Sequence, residues 1–589
     1  MSKVTGNAVD FPVLSRVFEF VKPYKKTFAI TLFLTIALAF LSPLRPWLIQ
    51  YTFDHHIANG DAQSLLYMTL LMVILLFAEA ILNFYYIYLA NWLGQVVIRD
   101  MRVKLYAHIN QFRLKYFDHT PIGTLVTRVI SDMETIADIF SEGLLVIIGD
   151  VLKLIVVIGV MFWVDYRLAL ISLSTIPVLL FSTWLFKNGI KSSFQEVRNE
   201  VAKLNAFLQE HITGMNVVQI FNREDEELER FKKINARHRD ANIRSIWYYS
   251  VFLPVVEVLS AVSIGLLVWW GSKGVIRDQV TLGNLVAFIL YIHMLFRPIR
   301  ELADRFNTLQ MGMVSSERVF KVMDTISVID NKGTQKMDTL KGEIKFENVW
   351  FAYNEEDWVL KGVSFTVKPG ETMALVGATG SGKSSIISLL SRFYEYNKGK
   401  ITIDGIDIRD YELNELRKNI AVVLQDVFLF SDTIANNISM KNEAVTKEQI
   451  REAAIAVGAD AFISSLPGNY DYNVMERGAM LSVGQRQLIS FIRAYIYNPK
   501  ILVLDEATSS IDTESEFLIQ QAMNKLTENR TSIVIAHRLA TVQKADKIIV
   551  LDKGEILEMG THQQLLKNNG HYKTLFELQF KNNKEGSLV

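Results

Sequence analysis

The hydropathy of this chain changes character near its middle. Up to about residue 300 it is written in long apolar runs, at 27–50, 64–92, 142–164, 168–187, 249–272 and 282–304. Most reach the roughly 20 residues that a helix needs to cross a hydrocarbon layer. The sixth is strongly apolar only to about 296 and continues through Arg297 and Pro298. Six such runs in one half of a chain read as membrane spans, not as buried helices of a large water-soluble core. From Gly342 onward, short apolar strands alternate with helical patterns, which predicts an α/β domain.

The polar positions between the spans are as informative. Cations crowd the segment before the first span (Arg16, Lys22, Lys25, Lys26) and the connections between spans two and three and between spans four and five. The opposite turns are poor in them: "TFDHHIANGDAQ" has none, and "DYR" has only Arg167. This bias places both termini and the two long connections in the cytoplasm. The long connections carry apolar residues at three- and four-residue spacing with charges between, so they predict helices that extend the spans into water. Each reverses at a break, one near Pro121 and Gly123, the other near Gly214. Arg45, Glu79, Asp150, Lys153 and Glu257 fall inside the spans. Each would cost about 2.5–3.5 kcal/mol at mid-bilayer, so each is expected to face protein or a wet cavity. Asp150 and Lys153, three apart, are positioned to neutralise each other.

Composition sharpens this picture. The chain has 589 residues, half of them hydrophobic, 11% aromatic, with mean hydropathy +0.20. Its length calls for two or three domains. Net charge is +0, which gives no argument for nucleic acid as a partner. There is no cysteine, which excludes a disulfide scaffold, a thiolate metal site and a cysteine nucleophile. The opening "MSKVTGNAVDF" lacks the pattern of a cleaved signal.

Candidate chemistry sits in the second half. "TMALVGATGSGKSSIISLL" reads as strand, loop and helix, and Gly377 to Ser384 fits G-x-x-x-x-G-K-[ST]. Gly377, Ala378, Thr379, Gly380, Ser381 and Gly382 provide a loop whose amides close around phosphate oxygens. Ser384 and Ser385 open a helix whose positive end faces the anion. Lys383 neutralises β- and γ-phosphates, and the Ser384 hydroxyl is suited to Mg²⁺. "ILVLDEATSSID" adds a buried strand ending in Asp505 and Glu506. One carboxylate holds Mg²⁺ and the other polarises an attacking water.

With these motifs in order, the chain resembles a half-transporter of the ATP-binding cassette (ABC) exporter family over nearly its whole length. The resemblance implies that Tyr353 in "VWFAY" stacks on adenine. Gln425 in "VVLQDVFLF" would sense Mg²⁺ and the attacking water. "LSVGQ" is similar to the family signature, which implies that Ser482, Gly484 and Gln485 contact the nucleotide of a facing copy. Ser509 to Asp512 would cross to the partner, and His537 in "IVIAHRLAT" would hold the γ-phosphate. The catalytic set is then Glu506, His537 and Gln425, with Ser384, Gln425 and Asp505 around Mg²⁺. Val483 departs from the family's usual glycine, and a β-branched side chain crowds close approach of phosphate.

The expected fold class is therefore an all-α, six-helix transmembrane domain with long cytoplasmic extensions (type I ABC exporter fold), followed by an α/β P-loop nucleotide-binding domain. The expected boundaries are 1–322 for the membrane domain, 323–341 for a linker and 342–589 for the cassette. The expected function is ATP-driven export of amphipathic molecules, drugs or lipids, by a multi-pass protein of the cell's inner membrane. An ATP-gated channel or regulator on the same scaffold is the alternative. The cofactors are ATP and Mg²⁺. The expected partner is a second half-transporter: Val483 favours a heterodimer, and a homodimer tolerating the variant stays open.

Overall fold

A computed structural model describes residues 10–337, 340–354, 357–505, 513–536 and 539–577. The chain forms two compact units, one of 1–110 and 121–325, the other of 111–120 and 326–589. The chain thus leaves the first unit after Asn110, lends ten residues to the second, and returns at Pro121.

The first unit is helical. Among the described residues, six segments are long and apolar enough to cross a membrane: Lys22–Ile57, Ala62–Ile109, Ile122–Val164, Tyr166–Phe186, Glu224–Ile276 and Leu282–Ile299. Several helices far exceed a bilayer. Ala62–Ile109 has 48 residues and Glu224–Ile276 has 53, about 72 and 80 Å at 1.5 Å per residue against some 30 Å of hydrocarbon. The polar part of each continues the helix beyond the apolar part, which is why a hydropathy reading stops short of the helix ends. The predicted breaks are present: Leu114–His119 ends before Pro121, and Ile176–Thr213 ends at Gly214. Pro298 lies inside the continuous helix Leu282–Met323.

Helix packing in this unit combines apolar and polar contacts. Phe186 and Phe252 stack at 4.2 Å, while buried Ser263 donates to the Ser172 carbonyl at 2.8 Å and Ser193 bonds Ser245 at 2.7 Å. Small hydroxyls of this kind join helices where the surrounding solvent offers no partner. The intramembrane charges are arranged differently from the expectation. Asp150 pairs with Arg305 at 3.1 Å, not with Lys153, because Arg305 projects from the neighbouring helix Leu282–Met323. Glu79 accepts from Ser42 at 3.0 Å. Arg45 and Glu257 are exposed on the single chain.

The second unit holds two sheets. Its strands are β1 (Ile344–Ala352), β2 (Trp358–Val367), β3 (Thr372–Val376), β4 (Lys398–Ile403), β5 (Ile406–Asp407), β6 (Ile420–Val423), β7 (Ile501–Asp505), β8 (Thr531–Ile535), β9 (Lys547–Asp552) and β10 (Glu555–Gly560). The smaller sheet is antiparallel, in the order β2-β1-β4-β5; the larger runs β10-β9-β3-β8-β7-β6. All pairs of the larger sheet except β9–β10 are parallel. Its central strands are almost wholly buried and mostly apolar, as strands covered on both faces are. A second core, around Ile438, Ala454, Val457 and Leu488, belongs to the helices between β6 and β7.

Candidate functional site

In an open parallel sheet, ligands gather at the carboxyl ends of the strands. β3 and β7 flank β8 there, and the register is close: Leu375 and Asp505 both pair with Ile535. The phosphate loop therefore leaves β3 one strand away from Asp505.

The loop's glycines are dictated by space as well as conformation. A Cβ on Gly377 would lie 2.2 Å from the Leu551 carbonyl oxygen. Gly382 has φ +104°, in the left-handed region, and a Cβ there would sit 2.7 Å from Leu360. Ala378, Thr379 and Gly380 form the exposed crest, and Ser381 turns inward. Helix Lys383–Leu390 begins at once. The Lys383 Nζ donates to the carbonyls of Gly377 at 2.7 Å and Ala378 at 2.9 Å, and to Ser381 Oγ at 3.5 Å. Burial draws the Lys383 ammonium below its usual pKa, while the charge of Asp505 opposes that shift. A cation held inside a loop of carbonyls, beside exposed amides, is suited to an anionic ligand.

Ser384 is exposed on the helix's first turn, whereas Ser385 is buried and its Oγ lies 3.1 Å from the Tyr353 hydroxyl. Tyr353 stands half-buried at the edge of the site, its ring packed edge-on against Phe351 at 4.7 Å and Tyr394 at 5.0 Å. Gln425 is exposed two residues beyond β6, the strand next to β7. Ser384, Gln425 and Asp505 are all oxygen donors, the chemistry that suits Mg²⁺. Among the described residues no three His, Cys, Asp or Glu cluster as a metal cage.

The signature opens a second helix, Val483–Ile496. Ser482 caps it: its Oγ accepts from the Gln485 N–H at 3.2 Å, and its own N–H donates to Gln485 Oε1 at 3.0 Å. The cap leaves the hydroxyl hydrogen of Ser482 as a donor. Gly484 is buried. Val483 takes the first helical position, a conformation valine adopts without strain, so the backbone is not what the missing glycine costs. What remains is the isopropyl group, 45% exposed at the mouth of the helix N-terminus. Glu506, His537 and the Ser509–Asp512 loop lie outside the described residues.

Two groups escaped the sequence reading. Arg392 is 1% exposed, and its guanidinium donates to the carbonyls of Ile408 at 3.2 Å, Tyr411 at 3.5 Å and Asp330 at 2.7 Å. Tyr394, two residues on, donates to Asp118. Neither lies in a recognisable motif; only an arginine closely following the phosphate-loop helix hinted at either.

Six spans fused to a phosphate-loop domain define a membrane-embedded ATPase. Comparison with known proteins makes that class specific. Residues 28–299 match the family model for the ABC transporter transmembrane region, and 360–509 match that for the ABC transporter. The uncharacterized ABC transporter ATP-binding protein YknV of Bacillus subtilis is 39% identical over 96% of this chain and 94% of its own. The putative multidrug export ATP-binding/permease protein YgaD of the same organism is 38% identical over 96% and 99%. An ATP-dependent lipid A-core flippase of Desulfotalea psychrophila is 35% identical over 96% and 99%. The chain belongs to the ABC transporter family, as an exporter half-transporter whose ATPase cassette is coupled to transport. It is a multi-pass membrane protein that binds ATP and works as a dimer.

Proposed function

We propose that this half-transporter exports amphipathic small molecules, drugs or lipids, across the inner membrane, with both termini and the cassette in the cytoplasm. The observation that carries the reading is Lys383, buried in a phosphate loop one strand from Asp505, on the same chain as six spans. The names of the relatives, multidrug export and lipid flipping, favour export over a channel or a regulator. The cation-rich connections favour the cytoplasmic side for the cassette. The working division of the chain is 1–322 for the membrane domain, 323–341 for the linker and 342–589 for the cassette.

In this reading Tyr353 stacks on adenine, and residues Gly377 to Ser385 hold the phosphates. Ser384, Gln425 and Asp505 surround Mg²⁺, which supplies charge neutralisation between the phosphates. Glu506 polarises the attacking water, with Gln425 and His537 positioning it and the γ-phosphate. Ser482, Gly484 and Gln485 serve the nucleotide of the facing subunit. The second tip of the membrane unit supports a facing subunit too. Val217, Ile220 and Phe221 are 55, 76 and 70% exposed there, an apolar end suited to docking on another cassette. A related partner that lends an intact signature to this chain's site is the favoured arrangement, given Val483.

Transport in inverted membrane vesicles tests the reading. ATP should drive accumulation of a lipophilic cationic dye or a fluorescent phospholipid, and Glu506→Gln should abolish turnover while trapping ATP. Undiminished steady-state ATPase in Glu506→Gln would refute the role given to that carboxylate.

A further inference from the structure

Where the first span begins, it meets the second in a cluster of cations and rings that the transport reading does not use. Lys22, Lys25 and Lys26 are exposed there, with no carboxylate partner among the described residues. Tyr24, between them, is fixed: its hydroxyl donates to Asp100 at 2.7 Å and accepts from Arg99 at 3.0 Å. Arg99 also pairs with Asp100 at 2.8 Å, yet its side chain is 65% exposed. The Tyr24 ring packs edge-on against Trp92 at 5.9 Å, and the Lys104 ammonium stands over the Phe20 ring at 5.2 Å. The surplus charge is positive. Asp100 already serves Tyr24 and Arg99, and Glu19 is the one other carboxylate in 11–28 and 84–104.

A groove starts beside Trp92. Phe84, Ile87, Tyr88, Asn91, Trp92 and Gln95, all on helix Ala62–Ile109, line an open cavity of about 450 Å³. The Phe84 and Tyr88 rings lie within 10° of parallel, 6.3 Å apart, and make a flat wall. Asn91 donates to the Ile87 carbonyl of its own helix at 2.9 Å, which removes a donor from the groove. Phe84 to Trp92 covers about 12 Å of helix, within the roughly 15 Å that one leaflet adds to the hydrocarbon layer. Gln95 and then Arg99 follow at one-turn spacing and lead to Tyr24. The groove thus has an apolar end and a cationic end. Aromatic and basic residues commonly gather where a protein meets the membrane surface. Here the ring wall can take the hydrocarbon chain of any lipid, whereas lysines without a partner favour negative charge.

From this we propose that the groove and the lysines together bind one anionic glycerophospholipid, in the leaflet that borders the start of the first span. Its phosphate lies among Lys25, Lys26 and Arg99, and one acyl chain runs along Phe84, Tyr88 and Trp92. A zwitterionic lipid brings its own cation to the same place, where the lysines repel it. Tyr24, held by Asp100 and Arg99, keeps the Trp92 ring at the boundary between chain and headgroup. The site uses no residue assigned to the nucleotide or to the exported molecule, so it stands apart from the export reading.

The test is quenching of tryptophan fluorescence by acyl-brominated phospholipids, in nanodiscs that hold the full-length protein. The difference between the parent and Trp92→Phe isolates the Trp92 signal among the chain's nine tryptophans. Brominated phosphatidylglycerol, added as a minor component to phosphatidylcholine, should quench Trp92 about threefold or more beyond an equal amount of brominated phosphatidylcholine. A triple variant, Lys22→Gln with Lys25→Gln and Lys26→Gln, should bring that ratio below about 1.5. Quenching by brominated phosphatidylcholine should stay as in the parent, which shows that the groove is intact. Equal quenching by the two lipids in the parent would overturn the proposal, since contact with bulk lipid makes no choice of headgroup. So would a preference that survives in the triple variant, or a Trp92 that neither lipid reaches, the mark of a face covered by another subunit.

Discussion

Lys383 is already largely buried before a triphosphate arrives. Its ammonium is held by two carbonyls and a hydroxyl, contacts that phosphate oxygens would replace with stronger charge-assisted ones. Lys383→Ala should therefore lower the rate of phosphate release by about 10²–10³-fold, the usual cost of removing one preorganised electrostatic partner of a transition state. Val483 is a milder case. Its backbone is an ordinary first helical turn, so only the exposed isopropyl group stands between the helix N-terminus and an incoming anion. Val483→Gly should then raise the ATP affinity of the site this signature serves by several-fold, readable by nucleotide binding to the assembled dimer. Unchanged affinity would mean that phosphate does not approach close enough to meet the side chain.

At the scale of elements, the cassette depends on a buried arginine more than its motifs suggest. Arg392 sits where the phosphate-loop helix ends, and its donors satisfy carbonyls from 330, 408 and 411. Arg392→Ala would leave those oxygens without a partner. Each buried unsatisfied carbonyl costs about 1–3 kcal/mol, so a loss of about 3 kcal/mol or more is expected, seen as an earlier cassette transition in denaturant melts of the full chain. Elements also differ in how far the sequence discloses them. The spans were legible because lipid tolerates little but apolar residues over 20 positions. The reversals at Pro121 and Gly214 were legible because helices stop there for local reasons. The helical extensions beyond the bilayer were legible too, in an amphipathic pattern that Ala62–Ile109 follows into water, though not the residues at which they end. The strand–loop–helix of the phosphate site was plain, because steric demands at Gly377 and Gly382 leave no choice of residue. Tyr394 and Asp118 were invisible: they stand 276 residues apart, and no periodicity links them. Asp150 was assigned the wrong partner for the same reason, as Arg305 reaches it from a distant stretch of chain.

For the whole molecule, the question is what completes it. The apolar tip at Val217, Ile220 and Phe221 and the isopropyl group of Val483 at the start of the signature helix are both exposed on the single chain. If the partner is a different half-transporter, this chain purified alone should show little ATPase and no stable dimer by light scattering in detergent. Addition of the partner should then restore activity by at least tenfold. A robustly active homodimer would favour the tolerated-variant reading instead.

The loan of residues 111–120 to the second unit also sets a timetable. Phe112 and Asp118 leave the ribosome long before Tyr394, which follows Asp118 by 276 residues. At synthesis rates of about 5–20 residues per second, that gap lasts about 14–55 s. During it, a turn with its anchoring ring uncovered hangs between two inserted helices, waiting for the surface that will shelter it. The nascent membrane half is thus born needing something still unmade, and a ribosome stalled in that interval would strand it there.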